Sequence, residues 1–285
     1  MPPRHPLKIE LTVQEAAYAG NAGKFHSYLY EVGDPQGHTL PYNLYVPEHT
    51  DEPLPLVVFM HDMGSVSAQT DFTLRQGIGA LVWADDAEQA KRPCFVLAPQ
   101  YGEQAAFDDY TVGWGAEATL SLIESLCGSF AIDRNRIYGT GQSMGTMMLC
   151  ELLLRHPGFF AGCFLTAGQW DPERMGAIRE EHVWTMVSEH DGRAFPIMGA
   201  CMDAVEKAGG KVARGHVDAK ADEETKAAFC REVLQQGAHI QFTWLEGDSV
   251  LLPDAPVFPA AHHMSTWKWA YLFEPVRRWL FEQKR

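Results

Sequence analysis

The first fifty residues contain three segments in which hydrophobic and polar positions alternate. Such alternation predicts strands with one buried face. The three segments are 7–14 (LKIELTVQ), 24–32 (KFHSYLYEV) and 40–46 (LPYNLYV). We therefore expect the chain to open with antiparallel strands.

Beyond residue 54 the strand candidates are short and apolar throughout, as strands covered on both faces of a parallel sheet are. They are 55–60 (PLVVFM), 94–98 (CFVLA), 136–138, 163–166 and 183–187, and predicted helices lie at 72–90, 114–127 and 144–155. This alternation predicts right-handed crossovers and a doubly wound α/β sheet. Ligands bind such sheets beyond the carboxyl ends of the strands.

The stretch 139–146, GTGQSMGT, stands between a predicted strand and a predicted helix. A G-x-S-x-G pentapeptide at such a junction is typical of the nucleophile elbow, a strained turn in which glycines let two chain segments pass closely. The pentapeptide alone is weak, because about one sequence in ten with this many glycines would contain it by accident. It makes Ser143 a candidate nucleophile if an acid and then a histidine follow.

Two aspartates compete for the role of the acid. Asp191 follows the predicted strand 183–187 and is preferred, because the acid is normally presented from the end of a late strand. Asp171 precedes Pro172 and is equally suited to capping a helix.

Four histidines follow Asp191 and are candidates for the base: His216, His239, His262 and His263. His239 opens a predicted strand. The pair 262–263 lies in a predicted loop just before a predicted helix at 266–282, where one ring can stand between the serine and the aspartate.

The composition is that of an ordinary globular protein, with 46% hydrophobic and 21% charged residues among 285. No linker or repeat divides the chain, so we expect one domain over 1–285. A formal net charge of −14 with scattered Lys and Arg disfavours nucleic acid, and no apolar run reaches membrane-spanning length. We expect a small-molecule substrate, no nucleic acid and no membrane, and the sequence leaves the oligomeric state open.

Six widely spaced cysteines without a CxxC pair favour buried free thiols in a reducing compartment. Residues 1–10 lack the apolar region of a secretion signal, so we expect a cytoplasmic protein, although a signal already removed would leave no trace. We expect no cofactor and no metal. The acidic pairs Asp85–Asp86 and Asp108–Asp109 are interpreted as solvated surface.

Taken in order, seven stretches resemble the esterase branch of the α/β-hydrolase superfamily. They are LPYNLYVPEH, PLVVFMHDMG, CFVLAPQ, DRNRIYGTGQSMG, HPGFFAGCFLTAGQWD, SEHDGRAFP, and HHMSTWKWAY followed by VRRWLFEQ. Members of this branch are often labelled predicted peptidases. They are similar to polyhydroxybutyrate-depolymerase-like esterases and to the catalytic domain of prolyl oligopeptidases. The resemblance covers about residues 38–283. It implies a mostly parallel sheet with antiparallel N-terminal strands and a helical insertion before the last strand.

Carried over by position, the resemblance implies Ser143 as nucleophile, Asp191 as acid and His263, which precedes the M-S-T-W segment, as base. It also implies an oxyanion hole of two backbone N–H groups. One belongs to Met144. The other belongs to Asp62 or Met63.

Two positions depart from the family's pattern. The turn at 61–64 reads H-D-M-G where relatives usually read H-G-x-G, so Asp62 replaces a glycine. Thr146 stands where many relatives have a second glycine after the elbow, and we expect it to narrow the contact between helix and strand.

The substrate pocket is harder to predict. Trp170, after the strand 163–166, is our candidate for a pocket wall, and we also assign Gln142 and His61 to substrate binding. The segment 211–237 exceeds what a minimal hydrolase needs. It is either a flap beside the pocket or an extra helix packed on the sheet.

The sequence thus predicts a cofactor-independent serine carboxylesterase that works through an acyl-enzyme intermediate. A serine peptidase of the prolyl-oligopeptidase type would use the same triad. A binding protein with this fold would keep the pocket without turnover. Short acyl, aromatic and polymeric esters all remain open as substrates.

Overall fold

A computed structural model describes residues 13–48, 52–253 and 258–285 of the chain. Within these residues nine strands form one sheet in the order β1-β2-β4-β3-β5-β6-β7-β9-β8. The strands are β1 (His26–Glu31), β2 (Thr39–Tyr45), β3 (Leu54–Met60), β4 (Phe95–Pro99), β5 (Ile132–Gln142), β6 (Gly162–Thr166), β7 (Val183–Ser188), β8 (Val212–Val217) and β9 (Ile240–Leu245).

The N-terminal strands are antiparallel, as predicted: β1 pairs with β2, and β2 joins the sheet antiparallel to β4. From β4 to β8 all neighbouring strands are parallel. Most of the predicted strand at 7–14 lies outside the described residues, and its last two positions open a helix instead.

The helices lie before the first strand, between strands and after the last strand. They are α1 (Val13–Tyr18), α2 (Asp86–Gln89), α3 (Trp114–Ser129), α4 (Met144–Arg155), α5 (Ala194–Lys207), α6 (Glu223–Gln235), α7 (Ala261–Ala270) and α8 (Glu274–Glu282). The predicted helices at 114–127 and 144–155 are confirmed. α5 begins three residues after Asp191.

Two helix predictions are wrong. The region 72–90 is not one helix but two short 3-10 helices and α2. Two glycines interrupt it: Gly77 has a φ of +83°, and a Cβ on Gly79 would lie 2.1 Å from the Phe59 ring. The predicted helix 266–282 is split into α7 and α8, because Pro275 stands in the first turn of α8, where it begins a helix but cannot continue one.

The central strands of the sheet are buried on both faces, which explains why β3, β4, β6 and β7 are so apolar. In β3, Leu56, Val58 and Met60 join the core on one face with residues of α3, α4 and α5. Val57 and Phe59 join the core on the other face with residues of α6, α7 and α8.

The segment 211–237 adds β8 to the edge of the sheet, parallel to β9, and then α6, which packs on β8. All six cysteines are free thiols, and all except Cys127 are buried. None of the helices in the described part of the chain is long and apolar enough to cross a membrane.

Candidate active site

Ser143 lies at the turn between β5 and α4 in a conformation that few non-glycine residues adopt. Its φ is +50° and its ψ is −112°, and such backbone geometry costs roughly 1–3 kcal/mol. Two hydrogen bonds hold it there: its N–H donates to the carbonyl of Thr166 at 3.0 Å, and its carbonyl accepts from the N–H of Met147 at 3.1 Å. The side chain is half-buried and faces a cavity.

The glycines around Ser143 are required by the close approach of β3. A Cβ on Gly145 would lie 1.9 Å from the carbonyl oxygen of Met60, and a Cβ on Gly141 would lie 2.8 Å from the carbonyl carbon of Gly145. Because backbone atoms cannot yield as a flexible side chain does, both positions exclude a side chain. The pentapeptide is therefore a packing requirement of this turn.

Thr146, which stands where many relatives have a glycine, lies in the first turn of α4 and is buried against β6. Its Oγ1 lies 2.9 Å from the carbonyls of Gly141 and Thr166 and accepts the N–H of Thr166 at 3.0 Å. Gly168 leaves room for it, because a Cβ on Gly168 would lie 2.4 Å from Thr146 Cβ. The bulk added at one position is matched by a missing side chain at the other.

The ring of His263 stands between Ser143 and Asp191. His263 Nε2 lies 2.8 Å from Ser143 Oγ, and Nδ1 lies 2.6 Å from Asp191 Oδ2. A carboxylate can only accept, so Nδ1 carries the proton and Nε2 is left to accept the hydroxyl proton. His263 lies in the first turn of α7, not in the loop we predicted.

Asp191 is nearly fully buried, at 4% exposure. Its Oδ1 accepts the N–H groups of Ala194 at 2.9 Å and Arg193 at 3.1 Å. Burial alone would raise the pKa of Asp191, but the hydrogen bond and charge of His263 together with these N–H donors hold that pKa below its ordinary value. The group is therefore an ionised acceptor at neutral pH.

The competing candidates lie elsewhere. Asp171 accepts the N–H of Glu173 at 3.0 Å in a turn, and the next helix, a 3-10 helix, begins only at Met175, so Asp171 does not have the helix-capping role that we considered for it. His216 pairs with Glu246 at the surface, at 2.7 Å. His239 stacks on His182 just before β9 and β7 begin. The two histidines therefore lie at the amino ends of the parallel strands, whereas Ser143 lies at the carboxyl end of β5.

Met144 and Met63, whose backbone N–H groups the sequence predicts for an oxyanion hole, both lie beside Ser143. Met144 is the first residue of α4, and Met63 is the first residue of the 3-10 helix Met63–Ser65. The first N–H groups of a helix have no partner within it. Both residues line the cavity next to Ser143.

Asp62 anchors this turn through its side chain. The carboxylate is 4% exposed and accepts from Gly64 N at 2.7 Å, Gln76 Nε2 at 2.8 Å and Gln142 Nε2 at 2.8 Å. It thereby joins the turn after β3 to the residue that precedes Ser143. The carboxylate of Asp62, at the position where glycine was expected, therefore forms hydrogen bonds on both sides of this turn.

The three residues that we assigned to substrate binding are fully buried and do not line the cavity. Gln142 holds Asp62. His61 contacts the Asp62 carbonyl through Nδ1 at 2.7 Å and accepts the Tyr101 N–H through Nε2 at 3.0 Å, and burial lowers the pKa of its ring. The Trp170 indole donates to Glu151 at 3.0 Å. Gln142 and His61 thus hold the turn after β3, whereas Trp170 packs in the core.

The cavity beside Ser143 has a volume of about 420 Å³. Sequence reasoning missed most of its walls: Met147, Gln104 and Gln169 line it, and Arg193 and Asp108 close one side as an ion pair of 2.6 Å. The Asp108 side chain is 64% exposed, in agreement with its interpretation as solvated surface, and it also borders the cavity. Its partner Arg193 lies two residues after Asp191, and this closeness in the sequence could have indicated that Arg193 borders the cavity. No described residue of 211–237 lines this cavity.

No family model matches the sequence, and no curated protein matches it. Solved structures do match. A thermostable esterase is 24% identical with a TM-score of 0.67, over 93% of this chain and 64% of the esterase. A ferulic acid esterase is 12% identical with a TM-score of 0.57, over 90% of this chain and all of that one. Oligopeptidase B from Leishmania major is 9% identical with a TM-score of 0.54, over 91% of this chain and 37% of the oligopeptidase.

The chain has the α/β-hydrolase fold. This confirms the fold that the sequence resemblance implied. The α/β-hydrolase sheet carries Ser143 after β5, Asp191 after β7 and His263 after β9. That is the chain order Ser, Asp, His expected for nucleophile, acid and base in this fold.

Proposed function

We propose that the protein is a serine carboxylesterase. The observation that carries the proposal is the position of the His263 ring, in hydrogen-bonding contact with Ser143 on one side and Asp191 on the other. An imidazole so placed removes the hydroxyl proton as the oxygen attacks, and the carboxylate fixes the tautomer and stabilises the imidazolium that forms.

In the proposed reaction, Ser143 Oγ forms a bond with the ester carbonyl carbon while its proton passes to His263 Nε2. The N–H groups of Met144 and Met63 stabilise the negative charge on the carbonyl oxygen, an effect worth roughly a hundredfold or more in rate for each donor. Collapse expels the alcohol, which takes the proton from His263. Water then attacks the acyl-enzyme with the same base and releases the acid.

The cavity supports a small ester as substrate. A volume of about 420 Å³ lies at the lower end of ordinary small-molecule pockets. Met63, Met144 and Met147 provide flexible apolar walls for an acyl or alcohol group. Two of the compared structures are described as esterases. The comparison with an oligopeptidase keeps peptide hydrolysis as the second candidate.

The decisive experiment is hydrolysis of p-nitrophenyl esters from acetate to decanoate by the wild type and by Ser143→Ala. We expect turnover in the wild type and a loss of at least about a thousandfold in the variant. Ser121→Ala, an exposed serine on α3, is the matched control and should retain full activity.

The outcomes separate the candidate functions. Cleavage of peptides but of no ester would indicate the peptidase. A folded wild type that turns over neither, and in which a fluorophosphonate does not label Ser143, would leave only a binding role and end the esterase proposal. Activity that survives Ser143→Ala would place the nucleophile elsewhere.

A further inference from the structure

Two histidines and an aspartate converge at the surface beside the proposed triad. His190 Nδ1 and His262 Nε2 each lie 2.8 Å from the same oxygen, Oδ1 of Asp248. The three ligand atoms lie within 4.8 Å of one another. Among the described residues this is the single group of three or more His, Cys, Asp or Glu side chains arranged closely enough to hold a metal ion.

The three side chains come from three separate segments. His190 lies in the loop after β7, Asp248 in the turn after β9, and His262 in the first turn of α7. The first two segments are already joined, because the Gly247 N–H donates to Glu189 Oε2 at 2.8 Å. This hydrogen bond fixes the relative position of the segments that carry His190 and Asp248.

The donor set selects a class of metal. Two imidazole nitrogens and one carboxylate oxygen suit zinc and its transition-metal neighbours, whereas calcium and magnesium need oxygen ligands throughout. In tetrahedral zinc coordination, adjacent donor atoms lie about 3.3 Å apart, given metal–ligand bonds of about 2.0–2.1 Å. The two contacts of 2.8 Å need to widen by about half an ångström, and the two histidine nitrogens, which lie within 4.8 Å of each other, need to stand about 3.3 Å apart to bind the ion.

We propose that His190, Asp248 and His262 form a divalent transition-metal site, with water completing the coordination. Asp248 is 72% exposed and His190 51% exposed, so an ion reaches them from solvent. His190 immediately precedes Asp191, and His262 immediately precedes His263. A bound ion therefore fastens the loop of the proposed acid to the helix of the proposed base.

The test is zinc binding to the full-length chain, free of any polyhistidine tag, measured by isothermal titration calorimetry. We expect one zinc ion per chain and a melting temperature that rises with zinc concentration. Each of His190→Gln, Asp248→Asn and His262→Gln should weaken binding by at least about tenfold. Calcium and magnesium should produce neither effect.

His216→Gln is the matched control. His216 is an exposed histidine paired with a carboxylate at 2.7 Å, as His190 is, but within the described part of the chain it belongs to no group of three candidate ligands. Its loss should leave zinc binding intact. No zinc binding by the wild type, or binding that all three ligand variants retain, would overturn the proposal. The readout is binding, so it stands or falls independently of esterase activity.

Discussion

At the residue scale, the site distinguishes between two aspartates that the sequence could only rank. Asp191 contacts His263, whereas Asp171 contacts only its own turn. We expect Asp191→Asn to lower kcat by about a thousandfold to ten-thousandfold, because an amide can stabilise the wrong tautomer of the ring and cannot stabilise the imidazolium. Steady-state hydrolysis of a p-nitrophenyl ester checks this. Asp171→Asn is the matched control, and a comparable loss there would contradict the assignment.

Asp62 is the residue whose role the sequence left most open. Its carboxylate joins Gly64, Gln76 and Gln142, so its removal frees buried donors on both sides of the proposed oxyanion hole. We expect Asp62→Asn to cost on the order of 2 kcal/mol of unfolding free energy. We also expect kcat to fall by about tenfold or more, since a displaced N–H no longer meets the developing charge.

Urea unfolding and ester kinetics measure the two effects of Asp62→Asn. Asp109→Asn is the control, because Asp109 accepts the Thr111 N–H at 3.1 Å in an exposed turn. Asparagine serves equally well in such a turn. Should both variants behave alike, Asp62 would be an ordinary turn residue without influence on the site.

At the scale of secondary-structure elements, the packing of α4 on β6 depends on a matched pair of positions. We expect Gly168→Ala to destabilise the fold by roughly 1–3 kcal/mol, because its methyl group meets Thr146 at 2.4 Å. Thr146→Gly removes that clash. The double variant should therefore be less destabilised than the sum of the single variants.

A double-mutant cycle in urea measures this coupling. Rescue will be partial, because the added Cβ also lies 3.1 Å from the carbonyl oxygen of Ser143. Gly128→Ala, where a Cβ would meet nothing within 4 Å, controls for the general effect of alanine. Strict additivity would show that the two positions do not share space.

The elements that the sequence predicted well are those whose boundaries are determined locally. The glycines around Ser143 mark the start of α4, and the apolar run before Met60 marks β3. The broken region 72–90 was missed because its limits are tertiary: Gly79 is needed only where Phe59 approaches it. Likewise, a polar residue at a strand end can point to the cavity or behind it. Gln142 and Trp170 are buried and do not line the cavity. Composition and periodicity do not indicate in which direction such a side chain extends.

At the scale of the whole molecule, the order of the strands creates the site. Ser143 and His263 are 120 positions apart in the chain, and Asp191 and His263 are 72 apart. They meet because β5, β6, β7 and β9 are consecutive parallel neighbours, so that the carboxyl ends of these strands lie side by side. The chain order of the three residues was readable from the sequence. Their distances depend on a sheet that only the folded chain forms.

The stability of the whole molecule should depend on pH through Glu151, a buried carboxylate of α4. It accepts from Arg155 at 2.7 Å, Arg174 at 2.7 Å and Trp170 at 3.0 Å. Burial alone would raise the pKa of Glu151, but these hydrogen bonds outweigh it and hold that pKa below its ordinary value. Because the pKa of Glu151 is lower in the folded state than in the unfolded state, its ionisation stabilises the fold at pH values above the ordinary pKa of about 4.3. That contribution is lost as the pH falls below this value.

We therefore expect Glu151→Gln to cost on the order of 2 kcal/mol of unfolding free energy at pH 7, and the difference from the wild type to shrink as the pH falls toward 3. Urea unfolding at several pH values measures it, and comparison with the variant cancels the titration of the other carboxylates. Glu124→Gln is the control, since Glu124 and its partner Arg134 are half exposed and such surface pairs contribute little. A difference that stayed constant with pH would mean that Glu151 acts through packing alone, because only a loss of charge makes its contribution depend on protons.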